Sequence, residues 1–164
     1  MSKNVIISIV TGIGLLAGLF WIARPSAPED SQATPSGNGR LVVSEASFDF
    51  GSVSMANGTV HKIVAVKNEG PDAVTIGKIS TSCMCTTATF EKDGQRYGPF
   101  GMPGHAYIPK INQRLGAGEQ ANVEIAFDPA AHGPAGVGRV DRSVYLENGA
   151  GRPLEIQFTA TVTP

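Results

Sequence analysis

The chain has only two cysteines in 164 residues, so a closed structural zinc site, which needs four ligands, is not expected. A basic excess is missing too. Thirteen Lys and Arg stand against fourteen Asp and Glu, for a formal charge of −1, and no Lys/Arg run occurs. No basic excess is therefore available to neutralise a phosphate backbone, and nucleic acid is not an expected partner. Charged residues make up only 16% of the chain, against twenty glycines and eleven prolines. That balance suits turns and short strands better than long surface helices. The familiar catalytic signatures are also lacking: no GxSxG, no HExxH, no P-loop and no GxGxxG opening a helix. The three histidines, His61, His105 and His132, stand in unrelated contexts. The expectation is a protein that is not an enzyme.

What is present begins with an uncharged, mostly apolar run over residues 5–23. At about 1.5 Å per residue it nearly crosses a hydrocarbon core of roughly 30 Å. Residues 1–24 are therefore read as a single transmembrane anchor. Lys3 precedes the run, while Arg24 is followed by Glu29 and Asp30. This slight positive-inside bias favours an N-terminus inside the cytoplasmic membrane and the rest of the chain in the periplasm or outside the cell. A cleaved signal peptide is the rival reading, and Trp21, Arg24 and Pro25 spoil its small-residue cleavage pattern. No cysteine follows the run, which excludes a lipid anchor. Gly14 and Gly18 form a GxxxG with Thr11 on about the same face, a spacing that lets helix backbones approach closely. They are candidate packing residues against a second membrane helix. Residues 25–40 hold no large apolar side chain and read as a flexible linker.

From residue 41 onward apolar residues recur with a period of two. Phe48 and Phe50 alternate, as do Val144 and Leu146, and Val123, Ile125 and Phe127. Val60, Val64 and Val66 share a face that Lys62 interrupts. Leu154, Ile156, Phe158, Ala160 and Val162 make the longest run. Gly77-Lys78 shifts the phase between Ile76 and Ile79, which predicts a bulge. Asn57-Gly58 and Asn148-Gly149 fall where hairpin turns are expected. No sustained helical period follows residue 40. The prediction is an all-β domain over residues 41–164, an Ig-like antiparallel β-sandwich of about seven strands. Residues 91–114 break the rhythm. Rich in glycine and proline, they read as a long loop able to fold back over the preceding segment.

That preceding segment is Ser82-Cys83-Met84-Cys85-Thr86. In an extended strand both sulfurs would project from one face, about 6.6 Å apart along the backbone. A disulfide at that spacing needs a local bend. Two same-face thiolates also suit Cu(I), a soft ion of low coordination number. Met102 and His105 are the nearest candidates for a further ligand, with His61, His132 and Met55 more distant. The third reading makes the cysteines small buried hydrophobes. Thiol–disulfide exchange needs a positive charge close to one sulfur, and none is adjacent in sequence.

Several segments together resemble a bacterial family, the domain of unknown function numbered 1573. They are Phe48-Asp49-Phe50-Gly51-Ser52-Val53, then residues 64–70 (VAVKNEG), then Ser82-Cys83-Met84-Cys85-Thr86. Leu115-Gly116-Ala117-Gly118-Glu119 and Phe127-Asp128-Pro129 complete the set. The family usually reads Ser-Cys-Gly-Cys-Thr, so Met84 is a departure. The resemblance implies an Ig-like sandwich related to the major sperm protein type, and no established activity. In arrangement the chain is also similar to the copper-delivery assembly factor of cytochrome oxidase, which joins one membrane helix to an Ig-like domain bearing Cys-x-Cys. By analogy that implies Cu(I) at Cys83 and Cys85. The combined expectation is a non-enzymatic, membrane-anchored, extracytoplasmic accessory module that contacts another membrane or envelope protein. Its alternatives are a Cu(I) chaperone and a thiol–disulfide redox pair.

Overall fold

The computed structural model describes residues 38–164. The expected membrane helix over residues 1–24, with Gly14 and Gly18, and linker residues 25–37 lie outside the described residues. No helix among the described residues is long and apolar enough to cross a membrane.

Ten strands form two five-stranded sheets, where periodicity alone counts about seven. One sheet is ordered β1 (Leu41–Val43), β3 (Val60–Asn68), β8 (Gln120–Phe127), β5 (Thr86–Lys92), β6 (Gln95–Phe100). The other runs β2 (Ser47–Ser54), β10 (Leu154–Thr163), β9 (Gly138–Asn148), β4 (Val74–Thr81), β7 (Gln113–Leu115). The extra strands include β1 and β7, each too short to show a period of two. Pairing is also not wholly antiparallel, because β10 lies parallel to β2. These two strands come from opposite ends of the domain, so no hairpin forces them to run against each other.

The inward faces follow the alternation. Val64, Val66, Val123, Ile125, Ile156, Phe158 and Leu146 are all buried in one shared core. Phe158 sits within 5.6 Å, centroid to centroid, of Phe48, Phe50 and Phe127. Lys62, the interruption in β3, has its ammonium 5.3 Å from the centre of the Phe48 ring and 2.8 Å from Glu45. The residue thus shields core edge while its charge stays wet. The phase shift at Gly77 is a true irregularity: the β4–β9 register slips between Ile76 and Lys78.

Two turn expectations need correction. Asn57-Gly58 does not close a hairpin, because β2 and β3 belong to different sheets and a short 3-10 turn, Met55–Asn57, carries the chain across. Residues 91–114 are not one long loop. β5 and β6 pair as a hairpin through Asp93 and Gly94, both at positive φ. Only residues 101–112 remain irregular between β6 and β7.

The Asn68 side chain is polar and fully enclosed. Asn68 donates from Nδ2 to the carbonyls of Asp72 at 2.8 Å and of Leu115 and Gly116 at 3.1 Å. Its Oδ1 accepts from the N–H groups of Arg40 and Gly70. Three chain segments are thereby tied together, and the desolvated amide is satisfied. Gly70 is required beside it, since a Cβ there would lie 2.2 Å from the Asn38 carbonyl.

Candidate functional site

The cysteine motif lies in a turn between β4 and β5, not within a strand as the sequence predicts. The cause is local hydrogen bonding. Thr86 N–H donates to the Cys83 carbonyl at 3.2 Å, closing a four-residue turn over Met84. Beneath it the buried Thr81 hydroxyl, 3.0 Å from the carbonyls of both Cys83 and Thr86, shares its proton between them. Cys85 N–H reaches back to Cys83 Sγ at 3.3 Å. The curl shortens the Cα separation to 5.3 Å, within the usual span for a disulfide, and Cys83 and Cys85 are bonded. Both sulfur-bearing residues are buried, while Met84 at the apex is exposed.

Two neighbouring segments bring polar groups to the sulfurs. At the end of β8 the Asp128 N–H donates to the Cys85 carbonyl at 2.9 Å, and Asp128 Oδ1 accepts from Ala130 N–H at 2.8 Å. That Asx turn carries the chain to His132, whose Nε2 stands 3.1 Å from Cys83 Sγ. On the other side β9 is locked to the motif by Ser82, which exchanges two hydrogen bonds with the Ser143 backbone at 2.9 Å. Arg142, the next residue along, donates from Nε to Cys85 Sγ at 3.3 Å and from Nη1 to the Asp141 carbonyl at 2.8 Å.

Arg142 reaches that place because it falls on the inward phase of β9. It precedes Val144 and Leu146 by even steps and pairs in register with the buried Phe158 of β10. A guanidinium among apolar neighbours must find an acceptor, and the sulfur supplies one. An open cavity of about 390 Å³ borders the site, lined by His132, Val137, Arg139 and Arg142 among others.

Cys83, Cys85 and His132 form a donor group: Sγ, Sγ and an imidazole nitrogen, all within 4.8 Å of one another. His105, expected as a third ligand, is exposed and outside this group. Met102 is half-buried in the same irregular segment, whose Gly101 carbonyl accepts from Thr81 N–H at 3.1 Å. His61 is held by Glu124 at 3.0 Å. Met55 is partly buried against the core and outside this donor group, its methyl 3.8 Å from where a Cβ on Gly136 would stand. Arg142 was missed by the sequence reading, although a charge in phase with Val144 and Leu146 is a visible signal. The positive charge that exchange chemistry needs is thus present, from a residue 57 positions away.

The arrangement holds three chemical possibilities on one turn. The sulfurs form a disulfide; once reduced, Cys85 thiolate has a guanidinium partner; and Cys83 has an imidazole to receive or return a proton.

The family model described as Protein of unknown function (DUF1573) matches residues 41–100, which bears out the family resemblance. That span runs from β1 through β6 and includes the cysteine turn. The motifs at residues 115–119 and 127–129 fall beyond it. Among solved structures the chain is similar to a protein of unknown function from Porphyromonas gingivalis W83, at 14% identity and a TM-score of 0.57. That match covers 78% of this chain and 49% of the other, so the chain spans about half the length of its relative. A PapD-like domain of human CEP192 matches at 14% identity and a TM-score of 0.43, covering 87% of this chain and 95% of that one. The CooA pilin subunit of enterotoxigenic Escherichia coli matches at 14% identity and a TM-score of 0.42, covering 77% and 99%. These likenesses concern the fold alone. No curated protein matches the chain in sequence.

Proposed function

We propose that this domain is a non-enzymatic accessory module, tethered by residues 1–24 at the outer face of a membrane, whose Cys83–Cys85 pair exchanges disulfide for dithiol with a partner protein there. The single observation that carries the reading is the pairing of Arg142 Nε with Cys85 Sγ at 3.3 Å beside the disulfide of the turn. A partner thiolate attacks Cys83 Sγ, the S–S bond breaks, and its electron pair leaves on Cys85. The Arg142 guanidinium stabilises that thiolate as it forms. A second thiol then displaces Cys83, whose departing thiolate takes a proton by way of His132. Two thiols have become one disulfide, and the module's pair has been reduced.

The disulfide sulfur gives the guanidinium an acceptor, and the contact strengthens once Cys85 is a thiolate, because a disulfide carries no charge to stabilise. The exposed Met84 at the apex of the turn offers a soft apolar contact for a docking surface. The test is capture in membranes. Exchange also runs in reverse, with Cys83 thiolate attacking a partner disulfide and releasing one partner thiol. In Cys85→Ser no Cys85 thiol resolves that mixed disulfide, so partner proteins accumulate as reductant-sensitive adducts on Cys83. A Cys83→Ser/Cys85→Ser chain expressed equally yields none. Absence of adducts from the Cys85→Ser chain, or equal adducts from the double variant, contradicts the reading.

A further inference from the structure

The same turn has a second ligand chemistry once its disulfide is opened. We propose that the reduced form binds one Cu(I) ion through Cys83 Sγ, Cys85 Sγ and His132 Nε2, with the disulfide acting as the lock on the site. This goes beyond the exchange reading and needs only that the pair be reducible. Among the described residues this is the one group of three or more Cys, His, Asp or Glu ligand atoms placed to hold a metal.

The distances suit a three-coordinate ion. With metal–sulfur bonds of about 2.3 Å and a metal–nitrogen bond of about 2.0 Å, as for zinc, the donors of a trigonal site stand roughly 4 Å apart. The three atoms already lie within 4.8 Å, and the Cα separation of 5.3 Å leaves the side chains free to open that far. Charge also balances. Two thiolates and one monovalent cation sum to −1, and the Arg142 guanidinium beside Cys85 cancels it. A divalent ion would leave the same site with an excess positive charge.

Donor type points the same way. Two of the three ligands are thiolates and no carboxylate belongs to the group, a set that selects a soft ion. Both cysteines are buried, which limits water and favours low coordination, while the cavity beside His132 keeps one side open for transfer to another ligand. Loading needs a thiol reductant. Two thiols give two electrons and two protons to the Cys83–Cys85 bond and leave as their own disulfide. Cu(I) then displaces the two cysteine protons. In the oxidised state neither sulfur is a thiolate, so the ion has no site.

The experiment uses the full chain in detergent, reduced with dithiothreitol, desalted without oxygen and titrated with Cu(I) supplied as its bicinchoninate complex. One ion per chain is expected, with none bound by the oxidised chain or by Cys83→Ser/Cys85→Ser. His132→Ala should weaken binding by at least ~10-fold, whereas His105→Ala leaves it unchanged. X-ray absorption should place two sulfurs and one nitrogen around the ion. Binding that ignores oxidation, an unchanged His132→Ala, or displacement of Cu(I) by an equal amount of Zn(II) would overturn the proposal. A chain that binds Cu(I) yet traps no partner retains this site and loses the exchange reading, and the reverse result separates them equally.

Discussion

Replacing Arg142 by Met removes the guanidinium from Cys85 while keeping an unbranched apolar side chain in the inward phase of β9. A hydrogen bond to a charged group contributes about 1.5–3 kcal/mol. Sulfur is a weak acceptor, the contact is 3.3 Å long and Arg142 is only half-buried, so the lower end applies, about 1.5 kcal/mol. The guanidinium also touches the sulfur of the disulfide, but a neutral sulfur is held far more weakly than a thiolate, so most of that loss falls on the reduced state. For a two-electron couple it lowers the reduction potential by roughly 30 mV. Where the charge is fully developed in the transition state, it slows reduction up to about tenfold. Arg142→Lys, which keeps the charge but loses the planar fork, should fall between. The assay equilibrates each chain with graded thiol–disulfide buffers at fixed pH and counts free cysteines by alkylation. Urea midpoints of the variants show whether the sandwich itself has been weakened. Equal potentials for wild type and Arg142→Met, or an easier reduction of the Met variant, would refute the reasoning.

Asn68→Ala removes five hydrogen bonds that join three chain segments and leaves buried carbonyls and N–H groups without partners. It should cost about 3–5 kcal/mol in a urea titration, and a loss below about 1 kcal/mol would contradict the assignment. Asp49 is held below its ordinary value by the Gly51 N–H, Glu119 by the Gly116 N–H, Glu124 by the Arg96 guanidinium and Glu155 by the Gln157 amide. A depressed folded-state carboxylate adds stability above its unfolded value and loses it as pH falls through the folded one. Thermal midpoints should therefore drop between neutral pH and pH values below the ordinary carboxylate range; a flat profile would argue that these pairs carry nothing. Gly14→Leu/Gly18→Leu should reduce recovery of membrane partners without altering the redox titration of the domain, and unchanged recovery would remove the helix-packing role.

Much of the sandwich is legible because buried strands leave a period of two. Val123-Ile125-Phe127 and the run from Leu154 to Val162 are read directly, as is the register slip at Gly77. What escapes are features set by distant partners. β1 and β7 are three residues each and exist only as additions to β3 and β4. The parallel seating of β2 at the sheet edge beside β10 joins strands from opposite ends of the domain and has no local signal. Two segments that stand out in the sequence acquire a shared reason in the structure. Asn68-Glu69-Gly70 and Gly116-Ala117-Gly118-Glu119 meet at one knot, where Asn68 N–H donates to the Glu119 carbonyl and Gly118 N–H to the Asn68 carbonyl. The cysteine turn has no comparable share in that knot. Its identity as a site is half visible: the two sulfurs stand out in the sequence, but His132 and Arg142 arrive from β8's exit and from β9. Nearness in sequence points to Met102 and His105, whereas the β4–β9 pairing and the Asx turn at Asp128 decide which residues are near in space.

The most direct test of the central claim is the reduction potential of the Cys83–Cys85 pair in the full chain, measured against dithiothreitol and glutathione buffers. The account predicts a reversible two-electron transition inside the range of exchange-active pairs, about −120 to −270 mV. A potential below about −300 mV, the range of structural bridges, or cysteines that never pair under mild oxidant, would contradict it.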